Sequence, residues 1–156
     1  WHSGPANLIY PKATTYTATM VAFGFDDIKS WCDIYPTDIF INQLELFSKK
    51  WQDGLALLDQ VEDNAQVKRL KLYALATYVH LRSICIQTKL YALRNAGKPF
   101  DMELIQEDRE LAKKLLDIQY ADDKIGFEAT NHYYYNKTLL LEKLVNCDYL
   151  LYKSNL

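Results

Sequence analysis

Beyond residue 36 the apolar side chains recur at three- and four-residue steps, the period of an amphipathic helix. The first such run follows Pro36. Phe40, Leu44, Phe47, Trp51, Leu55 and Leu58 predict one apolar seam, with Thr37 or Asp38 as cap. Glu45 and Lys49 stand one turn apart and would support this helix as a pair. Gly54 interrupts the run at a cost of about 1 kcal/mol relative to alanine, which predicts a close helix crossing there.

The second run extends from Ala65 to Ala96 and stops at Gly97-Lys98-Pro99. Leu70, Leu75, Val79, Ile84 and Leu90 point in most directions around its axis, so this helix is expected to be covered on several sides. A third run spans 101–120, with Asp101 as cap and Leu104, Leu111, Leu115 and Ile118 as seam. After a loop over 121–136 the last run covers 137–152, with Leu140, Leu144, Cys147 and Leu151 facing inward. Short loops favour antiparallel neighbours.

Residues 1–36 lack this period. Pro5, Pro11 and Pro36, with Gly4 and Gly24, break them up, while Thr14–Phe23 is rich enough in Thr, Tyr and Val to be extended. Such a lone strand must lie across the helices or pair with another domain. The predicted fold is therefore all-α: a four-helix bundle-like domain over 37–156, built around a long central helix, with an irregular N-terminal arm over 1–36. The opening Trp1-His2-Ser3 reads as an entry in mid-sequence, so the arm is expected to continue from an upstream domain of the same polypeptide.

Charge sharpens this picture. Asn64–Gly97 holds six bases (Lys68, Arg69, Lys71, Arg82, Lys89, Arg94) and no acid. Thr37–Asp63 holds six acids against two bases, and Asp101–Asp123 eight against three. A basic helix between acidic ones predicts pairing within the fold, which would consume the charge that a nucleic acid needs. The net charge of −2 and pI near 5.9 give no global field towards polyanions. No apolar run reaches the ~20 residues that span a bilayer.

Candidate chemistry is sparse. Cys32, Cys85 and Cys147 are odd in number and widely spaced, which argues against a disulfide framework or a zinc site. Asp26-Asp27 and Asp122-Asp123 are adjacent pairs, suited to caps and turns rather than to the separated carboxyls of a hydrolase. His80 and Cys85 fall on different faces of one helix. No metal, cofactor or catalytic group is expected. The aromatic residues are the better lead: Trp31 and Tyr35 stand before the first long helix, and His132 to Tyr135 precede the last. Flat rings with polar tips suit sugar faces, so Trp31, Tyr35, His132 and Tyr134 are the candidate ligand-binding residues. The alternatives are that these rings staple loops onto the bundle or contact another domain. Asn136-Lys137-Thr138 matches a glycosylation sequon, but a helix-capping Asn136 explains the same residues.

Three stretches carry a family likeness: Met20 through Trp31 into Tyr35-Pro36, Lys50-Trp51-Gln52-Asp53-Gly54-Leu55, and Asn131 through Tyr135 leading to Glu142-Lys143-Leu144. Together they resemble the helical C-terminal region of large exported glycoside-hydrolase-like proteins of gut Bacteroidetes. The resemblance implies a barrel domain upstream on which this region packs, a periplasmic or cell-surface location, and carbohydrate as a possible partner. It transfers no catalytic residue. The resulting expectation is a non-catalytic accessory domain. The alternatives are a helical protein–protein interaction domain of a glycan-uptake lipoprotein, which an exposed apolar groove would favour, and a self-sufficient enzyme, which would need a buried titrating pair inside a cleft.

Overall fold

The computed structural model describes residues 4–14, 26–125 and 136–153, with the backbone alone at 128–129 and 133–134. The fold is all-helical and bundle-like. α1 spans Ile28–Cys32, α2 Thr37–Leu58, α3 Ala65–Asn95, α4 Met102–Ala121 and α5 Lys137–Lys153. Two-residue strands, β1 (Glu128–Ala129) and β2 (Tyr133–Tyr134), pair antiparallel in the loop before α5.

The helix limits follow from local chemistry. Asn64 caps α3 by accepting from the Gln66 and Val67 amides, each at 2.9 Å, and Asp101 caps α4 through the Glu103 and Leu104 amides. Gly97 ends α3 with φ 68°, a left-handed backbone that glycine adopts without a Cβ clash. Asn136 accepts from the Leu139 amide at 3.0 Å and so caps α5. At α2 the expected cap is absent. Pro36 holds the N-cap position without a side-chain bond, and Thr37 Oγ1 instead accepts from Cys32 Sγ.

α3 lies between α2 and α4, and α5 packs along α4. The main core joins Ala76, Val79, Ile86 and Leu90 of α3 to Ile105, Leu111, Ala112 and Leu115 of α4 and Leu140, Cys147 and Leu150 of α5. Ala6 and Ile9 from the N-terminal arm belong to the same core. A separate small cluster of Leu44, Ile84 and Cys85, with Phe40 against it, joins α2 to α3. α3 is thus the central helix, and ten of its residues are buried.

Four details differ from the sequence reading. Phe47 is 51% exposed, and the buried line of α2 passes through Ser48 instead. From Leu44 a step of three or of four keeps the period, and only the direction of α3 selects the smaller residue. Gly54 is not at a crossing, because a Cβ there would meet nothing within 4 Å. Glu45 turns towards α3 rather than to Lys49, which pairs with Asp53 at 3.4 Å in full solvent. The arm is less irregular than expected: it contains α1, and its residues 4–10 dock into the core. The proposed extended stretch Thr14–Phe23 lies, apart from Thr14, outside the described residues.

Candidate functional site

Four surfaces and clusters carry the polar, aromatic and apolar chemistry. The first is the charged seam of α3. Arg82 forks onto both carboxylate oxygens of Glu107, at 2.6 and 2.8 Å, and its third nitrogen donates to Glu45 at 2.9 Å. Lys89 and Cys85 both donate to the other oxygen of Glu45. Burial alone would raise the Glu45 carboxyl. The hydrogen bonds from Lys89 and Cys85 and the nearby cationic charge outweigh it and hold the group at about 2. The Cys85 thiol is pushed up to about 12 by burial and by the same carboxylate, which makes it inert as a nucleophile. Lys71 reaches Asp63 at 2.7 Å and Arg94 reaches Asp26 at 2.6 Å, so four of the six bases of this segment are paired.

The second cluster is buried. Asp108 of α4 and Lys143 of α5 form an ion pair at 2.7 Å, with neither side chain exposed. Ser83 donates to Asp108 at 2.5 Å, and Gln87 donates to Ser83 at 3.0 Å. A serine, a carboxylate and an amine in one network suggest acyl chemistry. However, the group is sealed inside the core, and Asp108, Ser83 and Lys143 spend their hydrogen bonds on one another and on the arm. Its role is to join three helices. The signal was present in the sequence: Asp108 and Lys143 each sit on the apolar stripe of their helix, where one charge requires an opposite partner.

Around the arm the aromatic residues are partly consumed. Trp31 meets Tyr91 edge-on at 5.9 Å, and Arg94 lies over the Tyr91 ring at 4.6 Å. Burial, and next the Asp26 charge, raise the Tyr91 hydroxyl far above its usual range. Asp26 accepts from the amide and hydroxyl of Thr14 and from Arg94; these bonds outweigh its burial and lower its carboxyl. Tyr35 is 61% exposed beyond α1. His132 lies outside the described residues, and of Tyr134 only the backbone, in β2, is described. Trp31 and Tyr35 therefore flank the start of α2, while their relation to the loop before α5 is not part of the described geometry.

The fourth feature is the outer face of α2, of which sequence reasoning assigned Phe40, Leu44 and Phe47 to the interior. Phe40, Gln43, Leu44, Leu46, Phe47 and Lys50 line an open groove of about 430 Å³. Leu46 and Phe47 are about half exposed, and Ile39 and Leu57 extend the apolar surface along the helix. α5 carries another exposed stripe, Leu141, Val145, Tyr149 and Tyr152. Two apolar side chains bordering a groove make α2 the more suitable seat for a partner. Among the described residues, no group of three His, Cys, Asp or Glu is placed to hold a metal ion, and no helix is long and apolar enough to cross a membrane.

Compared with protein families, curated proteins and solved structures, the chain matches none.

Proposed function

We propose that this chain is a non-catalytic helical accessory domain of a larger carbohydrate-active, glycoside-hydrolase-like protein, exported to the periplasm or cell surface. The exposed apolar face of α2 is the surface that packs on the companion domain of the same polypeptide. The observation that carries this reading is the groove at Phe40, Leu44, Leu46 and Phe47, where Leu46 and Phe47 remain half open on a helix otherwise packed against α3. Burying a few such side chains contributes about 1.5–3 kcal/mol each, enough to hold a domain in place. The family resemblance supplies the companion: a sugar-processing domain upstream, to whose cleft Trp31 and Tyr35 would lend their rings.

A second reading, a helical protein–protein interaction domain of a glycan-uptake lipoprotein, uses the same face. The apolar lining favours it over a sugar site in the groove itself, because sugar recognition needs convergent polar groups and only Gln43 and Lys50 are present. A glycan-array screen distinguishes these readings, run on the chain alone and on the chain joined to the proposed upstream domain. Binding or hydrolysis only by the joined protein supports the accessory role. Binding by the chain alone would assign a sugar site to Trp31 and Tyr35. Silence from both would favour the interaction domain.

A further inference from the structure

The N-terminal arm is held in an unusual way. Gly4–Tyr10 makes one internal backbone bond, Asn7 amide to Gly4 carbonyl at 3.0 Å, and then runs extended between α3 and α5. No backbone bond among the described residues ties it to a helix. Side chains of the two helices bond its main chain instead. From α3, Gln87 donates to the Gly4 carbonyl at 2.6 Å, Tyr91 to Leu8 at 3.1 Å and Arg94 to Tyr10 at 3.1 Å. From α5, Lys143 donates to the Asn7 carbonyl at 2.6 Å, and Asn146 both accepts from the Ile9 amide and donates to its carbonyl, at 2.8 and 3.2 Å.

The spacing explains how this is possible. Positions 87, 91 and 94 recur once per turn along α3, as do 143 and 146 along α5, so both rows face one line. An extended chain presents its carbonyls and amides along such a line. Within this segment, the apolar contribution to the core comes from Ala6 and Ile9. Helix side chains thus bond peptide groups, while the core buries a small residue and, three positions later, an aliphatic one. This is the logic by which extended peptides are bound in trans.

Three of the donors also hold bonds to residues outside the segment. Lys143 bonds Asp108, Gln87 bonds Ser83, and Arg94 bonds Asp26. Bonds of this kind, where they persist in the absence of the segment, lower the ordering cost of binding.

We propose that the cleft between α3 and α5 is a polypeptide-binding groove that reads main-chain atoms, with Gly4–Tyr10 as its intramolecular and exchangeable occupant. The ligand class is a peptide with a small residue in a turn and, three positions later, a buried aliphatic residue in the segment that leaves the turn. This inference is independent of the α2 face and of any carbohydrate role.

The test uses the full chain with a protease site inserted between Lys12 and Ala13, both exposed. After cleavage, a fluorescent peptide of the Gly4–Lys12 sequence is added and anisotropy is followed, with helicity read by circular dichroism. The expected result is retained helicity, saturable exchange of the labelled peptide, and at least tenfold weaker binding of an Ile9→Asp peptide. A Leu8→Ala peptide should bind within about threefold, because at Leu8 the contact is to the carbonyl, and Asn146→Ala in the protein should weaken binding about tenfold. Loss of helicity despite excess peptide would overturn the proposal by making the segment an inseparable part of the core. So would absence of exchange, or equal binding of the Ile9→Asp peptide.

Discussion

α2 and α4 are nearly equal in length, 22 and 20 residues, and comparably amphipathic, yet they are packed very differently. α4 buries eight residues because α3 and α5 both lie against it. α2 buries only Leu44 and Ser48, because α3 is its one long neighbour. An apolar residue on α4 therefore has a destination within the chain, whereas Ile39, Leu46, Phe47 and Leu57 on α2 do not. Amphipathicity specifies how much of a helix wants cover, and the number of neighbours decides how much it receives.

The contrast can be broken most severely at the α4–α5 side. Lys143→Met would leave Asp108 buried without its counter-charge and should cost about 3–5 kcal/mol by denaturant titration. Replacing Asp108 by Asn in the same chain should recover part of that loss. A cost below about 1 kcal/mol for Lys143→Met would show that water reaches the pair.

Trp51 is a second tie of α2 to α3, beside Glu45. Its ring is half-buried and its indole donates to the Ala74 carbonyl at 2.9 Å, so Trp51→Ala should cost about 2–4 kcal/mol. Near-neutral behaviour would show that Trp51 does not hold α2 on α3.

Acid should act through two groups in turn. Burial lowers His80 to about 4, so the folded state holds it neutral while the unfolded chain binds a proton near pH 6.5. Its contribution, on the order of 2–3 kcal/mol at 1.36 kcal/mol per unit, is complete above pH 6.5 and lost as pH falls to about 4. Glu45 is likewise depressed, from 4.5 to about 2, so its smaller, partly solvent-screened contribution is present above pH 4.5 and fades between there and pH 2. Stability measured from pH 7 to 3 should fall first in the His80 window, and His80→Gln should flatten that first step.

The smallest effect is expected on the outer face of α2. Phe47→Ser should change stability by no more than ~0.5 kcal/mol, since the ring is half exposed and its ring contact is an edge to Trp51 at 6.5 Å. A loss above about 2 kcal/mol would place Phe47 in a core and remove the proposed docking surface.

Much of the fold was legible in the sequence because its signals are local. Asn64, Gly97 and Asp101 announce helix ends through side-chain chemistry or backbone freedom, and the period of Leu111, Leu115 and Ile118 needs no knowledge of other helices. What was not legible depends on the direction of a neighbour. Phe47 and Ser48 satisfy the period equally, and Glu45 could have reached Lys49 as readily as Lys89. Gly54 was assigned a crossing that no helix makes. The docked arm was hidden for another reason. An extended segment bonded only by distant side chains has no period of its own, although Gln87, Tyr91, Arg94, Lys143 and Asn146 mark its path once the two rows are seen together. Among the candidate ligand residues, Trp31 and Tyr35 were identifiable as aromatics, but sequence could not tell that Trp31 is turned onto Tyr91 and Tyr35 outward.

The central claim is that α2 is covered by a companion domain. Cys32, Cys85 and Cys147 are all buried, so a Phe47→Cys variant has one fast-reacting thiol. Its maleimide labelling rate can be compared between the isolated chain and the same chain joined to the proposed upstream domain. The account predicts at least tenfold protection in the joined protein. Equal rates in both would contradict it.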